Sequence, residues 1–165
     1  MTGAFIFMSV LAIVSLIYSS VLWGFIVGLK RLRHNARVAF DQWPSVSVVV
    51  PARNEAEVLE RTLDSLLAQD YPGQWEIVVV DDRSTDHTPN VLTRMAATFP
   101  VIRAVRVMEP NPPSPKKHAL ALGIRHATGE VIATTDADCL YDPSWLREMV
   151  SHLAPDVGVV AGLTV

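Results

Sequence analysis

The 165 residues predict an α/β domain with a mostly parallel sheet covered by helices on both faces, preceded by one transmembrane helix. Three observations support this prediction. Residues 1–29 carry no formally charged side chain. After them, short runs that are apolar throughout alternate with stretches of helical periodicity, as in parallel sheets that are buried on both faces. Half of the residues are apolar, which excludes wholesale disorder, and the single cysteine excludes an intrachain disulfide scaffold.

The N-terminal segment, residues 1–29, is predicted to be a transmembrane signal-anchor helix. Its apolar run, Ala4–Leu29, is longer than the ~20 residues that a bilayer span needs. A cleavable secretory signal is the competing interpretation, but it would have a basic leader and a shorter apolar stretch. A buried core helix is the other alternative.

The charge distribution predicts which side of the membrane the domain faces. Residues 30–44 form a basic linker, whose cations are Lys30, Arg31, Arg33 and Arg37. By the positive-inside rule we expect an outside N-terminus and a cytoplasmic domain, at the inner or plasma membrane. The unpaired Cys139 fits that reducing compartment. Residues 38–165 have ten Lys and Arg against 17 Asp and Glu, hence −7, which disfavours a nucleic-acid partner and favours cation-bridged ligands.

The domain is predicted over residues 45–165, and its strands are short, β-branched and apolar. The first, Val46–Val50, is expected to stop at Pro51. The later strands are predicted at Glu76–Val80, Val101–Val107 and Glu130–Thr135, with the start of a fifth at Val157–Ala161.

The helices are predicted by apolar residues spaced three and four apart. They are Glu55–Ala68, Asp86–Phe99, Lys116–Ala127 and Pro143–Leu153. Asn54 is a candidate N-cap for the first helix, and Ser84 or Asp86 for the second. Four prolines within residues 109–115 predict a loop before the third helix.

Ligands of parallel sheets bind beyond the carboxyl ends of the strands, so polar residues just after the strands are the candidate functional residues. They lie in Pro51–Glu55, Asp81–Asp86 and Asp136–Asp142. Asp136 and Asp138 are two positions apart in an extended segment, so their carboxylates can point the same way and hold Mg²⁺ or Mn²⁺. A diphosphate would complete the coordination shell. The alternative is a solvated acidic turn that caps the next helix.

Two further polar segments have both a functional and a structural interpretation. Asp81 and Asp82 repel each other unless a ligand or cation relieves the repulsion, yet they also suit the lead-in to a helix. Lys116 and Lys117 place positive charge at the start of a helix, where the helix dipole is also positive, and a bound phosphate would relieve this repulsion. A solvated basic edge explains the two lysines equally well. Four of the five histidines have no acid partner visible in the sequence and are expected to be structural: His87, His118, His126 and His152.

Together these motifs resemble family 2 glycosyltransferases, which are inverting enzymes of the GT-A fold and include cellulose- and hyaluronan-synthase-like proteins. The resemblance covers Ser45 to Val165. It rests on four motifs, VSVVVPARNE at Val46–Glu55, EIVVVDDRST at Glu76–Thr85, KKHAL at Lys116–Leu120 and GEVIATTDAD at Gly129–Asp138. One departure is Ala121, where many members have Asn.

The resemblance implies a role for seven residues in binding a nucleotide-sugar donor, expected to be a UDP-sugar, and a divalent metal. Pro51, Ala52 and Glu55 would cradle the nucleotide, Asp82 would contact the uracil, Lys116 would lie near the donor, and Asp136 and Asp138 would hold Mg²⁺ or Mn²⁺ and the diphosphate.

The resemblance also implies that this chain is an incomplete GT-A domain. The family's general base and acceptor residues lie downstream of Val165, so the catalytic residue is unknown and the chain holds the donor half. The implied partners are a nucleotide-sugar, a glycan or lipid-linked acceptor and the lipid bilayer. A complementing membrane subunit could supply the missing half.

Two other functions remain open from the sequence. One is a phosphoaspartate-type α/β domain, which fits poorly because Leu140 stands where haloacid-dehalogenase-type phosphatases have Thr or Val, and because no acid pair follows the first strand. The other is a membrane-tethered nucleotide-binding fragment that has no activity on its own.

Overall fold

The computed structural model describes residues 2–32, 38–110 and 113–162. It divides into two units, Met1–Val38 and Ala39–Val165, which are considered separately below. Of the predicted basic cluster, Arg33 and Arg37 lie outside the described residues, as do two positions of the proline-rich loop, 111 and 112.

The first unit is one long helix, α1, at Thr2–Leu32. Its segment Ile6–Gly28 has 23 residues and a mean hydropathy of 2.3. Large apolar side chains project from it into solvent, with Leu16 71% exposed. Such exposure is unfavourable in water and favourable in lipid. α1 is therefore a candidate membrane span by length and composition, properties that an N-terminal signal sequence shares.

The second unit is built on a four-stranded sheet, which confirms the predicted α/β fold. The strands are β1 at Val46–Ala52, β2 at Trp75–Asp81, β3 at Ile102–Arg106 and β4 at Val131–Thr134. Their order is β3-β2-β1-β4, and each of the three neighbouring pairs is parallel. The two central strands are the most deeply buried, because helices cover them from both sides.

In the described part of this unit, four helices cover the two faces of the sheet: α2 at Leu59–Leu67, α3 at Thr88–Thr98, α4 at Pro115–His126 and α5 at Trp145–Ser151. Successive side chains of a strand point to opposite faces. Val48 and Val50 accordingly join one core cluster with residues of α2, α3 and α5, whereas Val49 joins another with Ala119 of α4. At Gly123, α4 lies so close to the sheet that an added Cβ would be 2.9 Å from a methyl of Val80.

The first strand extends through Pro51 to Ala52, where the sequence predicted that Pro51 ends it. Proline removes a backbone donor, so it needs a place where no ladder bond is lost. Pro51 pairs with Val80 of β2 in register, but the pairing of β1 with β4 ends two residues earlier, at Val49. Because Val49 accepts its bond from the β4 side, the missing N–H of Pro51 faces the side that has no neighbouring strand.

The predicted fifth strand, Val157–Ala161, is wrong. Among the described residues, 157–162 form no strand, and Val159 is 85% exposed. A β-branched run favours extended backbone, but a strand also needs the donors and acceptors of a neighbouring strand. This segment adds no pairing to the edge strand β4.

The predicted start of the first helix is also wrong. α2 begins at Leu59, after a turn that contains Glu55, and Asn54 does not cap it. Asn54 has a positive φ of 56°, and its Oδ1 accepts a hydrogen bond from the backbone N–H of Thr85. For α3, Asp86 provides the N-terminal hydrogen bond, since its Oδ1 accepts from the N–H of Thr88 at 2.9 Å.

Candidate functional site

A cavity of about 470 Å³ lies at the carboxyl ends of the strands. All seven residues predicted to bind the donor or the metal line it: Pro51, Ala52, Glu55, Asp82, Lys116, Asp136 and Asp138. They come from four separate segments, which the parallel sheet and the start of α4 bring to one rim. The structure therefore places these residues together, while the role of each remains a prediction.

Asp136 and Asp138 follow β4 and have the alternation that the sequence predicted. Both acids are exposed, whereas Ala137 between them is buried. Lys116 of α4 reaches the same place, with its Nζ 2.8 Å from Oδ1 of Asp136. The hydrogen bond to Asp136 and the negative charges of Asp136 and Asp138 raise the pKa of Lys116, so it stays cationic.

The donor set at this rim fits a hard divalent cation. Two carboxylates can supply oxygen ligands, and Mg²⁺ and Mn²⁺ prefer oxygen. Within the described part of the chain, no group of three or more His, Cys, Asp or Glu residues could hold a metal ion by itself. A cation here would thus take its remaining ligands from water and from a bound molecule, as a diphosphate offers.

Two polar residues of α2 and one just after its end, not singled out from the sequence, hold the segment that carries the two acids. The buried hydroxyl of Thr62 donates to the carbonyl of Ala137 at 2.7 Å. Ser65 Oγ accepts from the N–H of Tyr141. Gln69 Nε2 donates to the carbonyl of Asp142, at 2.8 Å. Polar residues three positions apart on the inward side of α2, followed by a buried glutamine after its end, were the available signal.

The loops after β1 and β2 are fastened to each other. The N–H of Asn54 donates to Ser84 Oγ at 2.9 Å, and the N–H of Glu55 donates to Thr88 Oγ1 at the same distance. Two residues with positive φ, Asn54 and Arg83, turn the chain at corresponding points of these loops. The first of these bonds uses the hydroxyl of Ser84, which the sequence suggested as a helix cap, and the two bonds together fix the rim on which Glu55 and Asp82 lie.

Asp81 and Asp82 are both buried, and each is neutralised by an arginine. Asp81 accepts from the N–H of Ser84 through Oδ1 and lies 3.4 Å from Arg106 Nε through Oδ2. Asp82 uses Oδ1 for the guanidinium of Arg83, at 2.8 Å. Asp82 lines the cavity and Asp81 does not. The repulsion between the two acids is relieved inside the protein, so it does not by itself require a bound cation.

His118 has an acid partner that the sequence did not reveal. Its Nε2 contacts the carboxylate of Glu109, which lies after β3. This contact ties the start of the proline-rich loop to the first turn of α4. None of His87, His118, His126 and His152 is among the residues that line the cavity.

The sequence and structure of this chain match those of known proteins over most of its length. A family model described as "Glycosyl transferase family 2" matches residues 47–165. A beta-monoglucosyldiacylglycerol synthase of Nostoc sp. is 32% identical over 130 residues, which cover 78% of this chain and 27% of that protein. An undecaprenyl-phosphate 4-deoxy-4-formamido-L-arabinose transferase of Pectobacterium carotovorum is 35% identical over 124 residues, or 73% of this chain and 37% of that protein.

Among solved structures, the mannosyltransferase PcManGT from Pyrobaculum calidifontis, in complex with GDP-Man and Mn²⁺, is similar with a TM-score of 0.61 and 37% sequence identity. The similarity covers 79% of this chain and 40% of that one. The chain therefore spans well under half of the length of the relatives and the solved structure that it matches.

Proposed function

The chain belongs to glycosyl transferase family 2, and from this we propose that it is the donor-binding half of a membrane-anchored, inverting glycosyltransferase. Its resemblance to this family is confirmed by the match to the family model and by its GT-A structural neighbour. The donor would be a nucleotide-sugar, expected to be a UDP-sugar, and the acceptor a glycan or a lipid-linked molecule.

The cavity at the carboxyl ends of the strands is the observation that carries this proposal. The seven residues that the sequence predicted to bind the donor or the metal line this cavity, although they come from four distant segments of the sequence. Its volume of about 470 Å³ is in the range of small-molecule sites. Ligands of open parallel sheets bind at this edge.

The side chains of the cavity suit the parts of a nucleotide-sugar. Asp82 presents a carboxylate that can accept N–H groups of a base or hydroxyls of a ribose. Lys116 brings a cation to the side of the cavity where Asp136 and Asp138 lie, which suits a diphosphate. Pro51, Ala52 and Glu55 would cradle the nucleotide.

Asp136 and Asp138 are the residues proposed to hold Mg²⁺ or Mn²⁺, and the mannosyltransferase that this chain resembles was solved with Mn²⁺. When bound, the metal supplies Lewis-acid stabilisation of the charge that grows on a leaving diphosphate. Lys116 now hydrogen-bonds Asp136, so it would exchange that carboxylate for a phosphate oxygen when the donor enters. The general base that deprotonates the acceptor is expected downstream of Val165.

The proposed acceptor and location follow from α1 and from the names of the relatives. One relative is named for a glucosyldiacylglycerol product and another for undecaprenyl phosphate, both of them lipids. We propose that α1 is a single membrane span with its N-terminus outside, so that the domain works at the cytoplasmic surface of the inner or plasma membrane. The acceptor half would come from downstream sequence or from a complementing membrane subunit.

Titration of UDP and GDP into the full chain in detergent, with and without Mn²⁺, tests the proposal. We expect Mn²⁺ to strengthen binding of one nucleotide, and Asp138→Asn to remove most of that gain, about tenfold in affinity or more. Asp70→Asn is the matched control, because Asp70 lies outside the cavity in an exposed ion pair with Arg147. If Asp138→Asn and the wild type bind with the same metal dependence, the metal assignment is wrong.

A transfer assay separates the enzyme from an inactive nucleotide-binding fragment. The full chain is incubated with a radiolabelled UDP-sugar and vesicles that contain undecaprenyl phosphate or diacylglycerol. Labelled lipid would show that the chain is active by itself. Nucleotide binding without labelled lipid would assign it the donor half alone.

A further inference from the structure

Arg83 has a backbone conformation that requires compensation. Its φ is 56°, in the left-handed region that glycine occupies without a steric penalty and a long side chain does not. Because Arg83 adopts this conformation without being a glycine, we expect contacts of its side chain to offset the steric cost.

The guanidinium of Arg83 joins two segments next to the cavity. Its Nε and Nη2 both lie 2.8 Å from Oδ1 of Asp82. Its Nη1 donates to the carbonyl of Pro110 at 2.6 Å. The planar fork of an arginine can make both contacts in one fixed orientation, which a lysine cannot.

These contacts leave Asp82 with one oxygen for a ligand. Its side chain is only 5% exposed, and it lines the cavity. Among the described residues, Oδ1 is held by Arg83 and no hydrogen bond to Oδ2 is found. The guanidinium therefore limits the rotation of the carboxylate and also neutralises its charge inside the protein.

We infer that Arg83 is a positioning residue that orients Asp82, so that one carboxylate oxygen of Asp82 accepts the ring N–H of the donor's base. This inference rests on the proposed function. Arg83 itself does not line the cavity, so it acts through Asp82. A base that carries a ring N–H, as in uracil or guanine, would be selected, and a base without that donor would be bound less tightly.

The test measures the affinity of the full chain in detergent, with Mn²⁺, for UDP and N3-methyl-UDP, and for GDP and N1-methyl-GDP. Each methylated analogue carries a methyl group in place of the hydrogen of the ring N–H, so it cannot donate at that position. For the nucleotide that binds, we expect the wild type to prefer the unmethylated form by about tenfold, the size of one hydrogen bond to a charged group.

Arg83→Gly removes the side chain and keeps the backbone conformation allowed. We expect it to lower the affinity for the unmethylated nucleotide about tenfold, to change that for the methylated analogue less than twofold, and to bring their ratio near one. Arg83→Lys should give an intermediate ratio. Arg94→Ala is the control and should match the wild type, because it removes another arginine–carboxylate pair, with Glu60, outside the cavity.

The outcomes separate this inference from the proposed function. If Arg83→Gly lowered the affinity for the unmethylated and the methylated nucleotide by the same factor, Arg83 would be purely structural and the inference would be overturned. The inference would also be overturned if Arg83→Lys kept the wild-type ratio of affinities for the unmethylated and methylated nucleotide, or if the wild type bound both equally well. Either result would leave the proposed donor site in place. A wild type that binds neither nucleotide would contradict the proposed function, and the inference would fall with it.

Discussion

Ser47 and Glu76 show how individual polar residues stabilise the sheet at the end opposite the cavity. Ser47 Oγ donates to Glu76 Oε1 at 2.7 Å and accepts from the N–H of Gly129 at 2.8 Å. Glu76 Oε1 also accepts from the N–H and the hydroxyl of Thr128, both at 2.7 Å. Burial alone would raise the pKa of Glu76, but these hydrogen bonds and the charge of Arg103 outweigh it and hold the pKa below its ordinary value of 4.5.

Glu76→Gln should change how stability depends on pH. Because the folded pKa of Glu76 is lowered, its stabilisation is present above pH 4.5 and is lost as the pH falls through the folded value. We expect the wild type to exceed Glu76→Gln by about 1 kcal/mol in free energy of unfolding at neutral pH, and this margin to shrink in acid. Urea unfolding of the full chain in detergent at several pH values between 7 and 3 measures it.

The control for this prediction is Glu57→Gln, the same chemical change at an exposed position. Its free energy of unfolding should differ from that of the wild type by the same amount at every pH. If the curves of the wild type and Glu76→Gln are also parallel, the hydrogen bonds of Glu76 do not contribute through its charge.

At the scale of elements, α2 stabilises the acid-bearing segment after β4. Thr62 is 1% exposed, and its hydroxyl satisfies the carbonyl of Ala137, the residue between Asp136 and Asp138. A buried carbonyl without a partner is costly, so this bond determines where the segment runs. The amphipathic helix α2 thus packs against the sheet and also positions the candidate metal ligands.

Thr62→Val should loosen that segment without changing the volume of the core. Removing the hydroxyl leaves the Ala137 carbonyl unsatisfied, so we expect a loss of about 1–3 kcal/mol in the free energy of unfolding. The Mn²⁺-dependent part of nucleotide affinity should fall, while the metal-independent part stays. Urea unfolding and nucleotide titration measure the two effects. Thr62→Ser keeps the hydroxyl, so its Mn²⁺-dependent nucleotide affinity should match that of the wild type, while the loss of a buried methyl lowers its free energy of unfolding. Equal Mn²⁺-dependent affinities of the Val and Ser variants would refute the positioning role.

The elements differ in how well the sequence predicted them. Each of the four strands was predicted within two residues of its observed ends, because strands that helices cover on both faces are apolar without interruption. The start of α2 was missed by four residues, since Asn54 bonds to Thr85 in a neighbouring loop instead of capping the helix. The prediction of a fifth strand at Val157–Ala161 failed because a strand must pair with a neighbouring strand, and composition does not reveal whether such a neighbour is available.

At the scale of the whole molecule, the proposed orientation is testable by cysteine labelling. The chain contains one cysteine, Cys139, in the domain proposed to be cytoplasmic. We expect a membrane-impermeant maleimide to label Thr2→Cys in intact cells, because the N-terminus is proposed to lie outside. The wild type, with Cys139 alone, should be labelled only after lysis. Labelling of both proteins only after lysis would reverse the proposed orientation.

Strand and helix periodicity are local patterns, so the printed sequence was enough to predict the parallel α/β fold and the apolar N-terminal helix. The resemblance to family 2 glycosyltransferases implied the seven residues of the rim. The folded structure was needed to show that those seven residues line one cavity, that Arg83 donates to Asp82 and to the carbonyl of Pro110, and that Thr62 donates to the carbonyl of Ala137. These contacts join residues that are far apart in the chain or depend on an unusual backbone angle. Their distances are set by how the helices pack on the sheet, which no local pattern encodes.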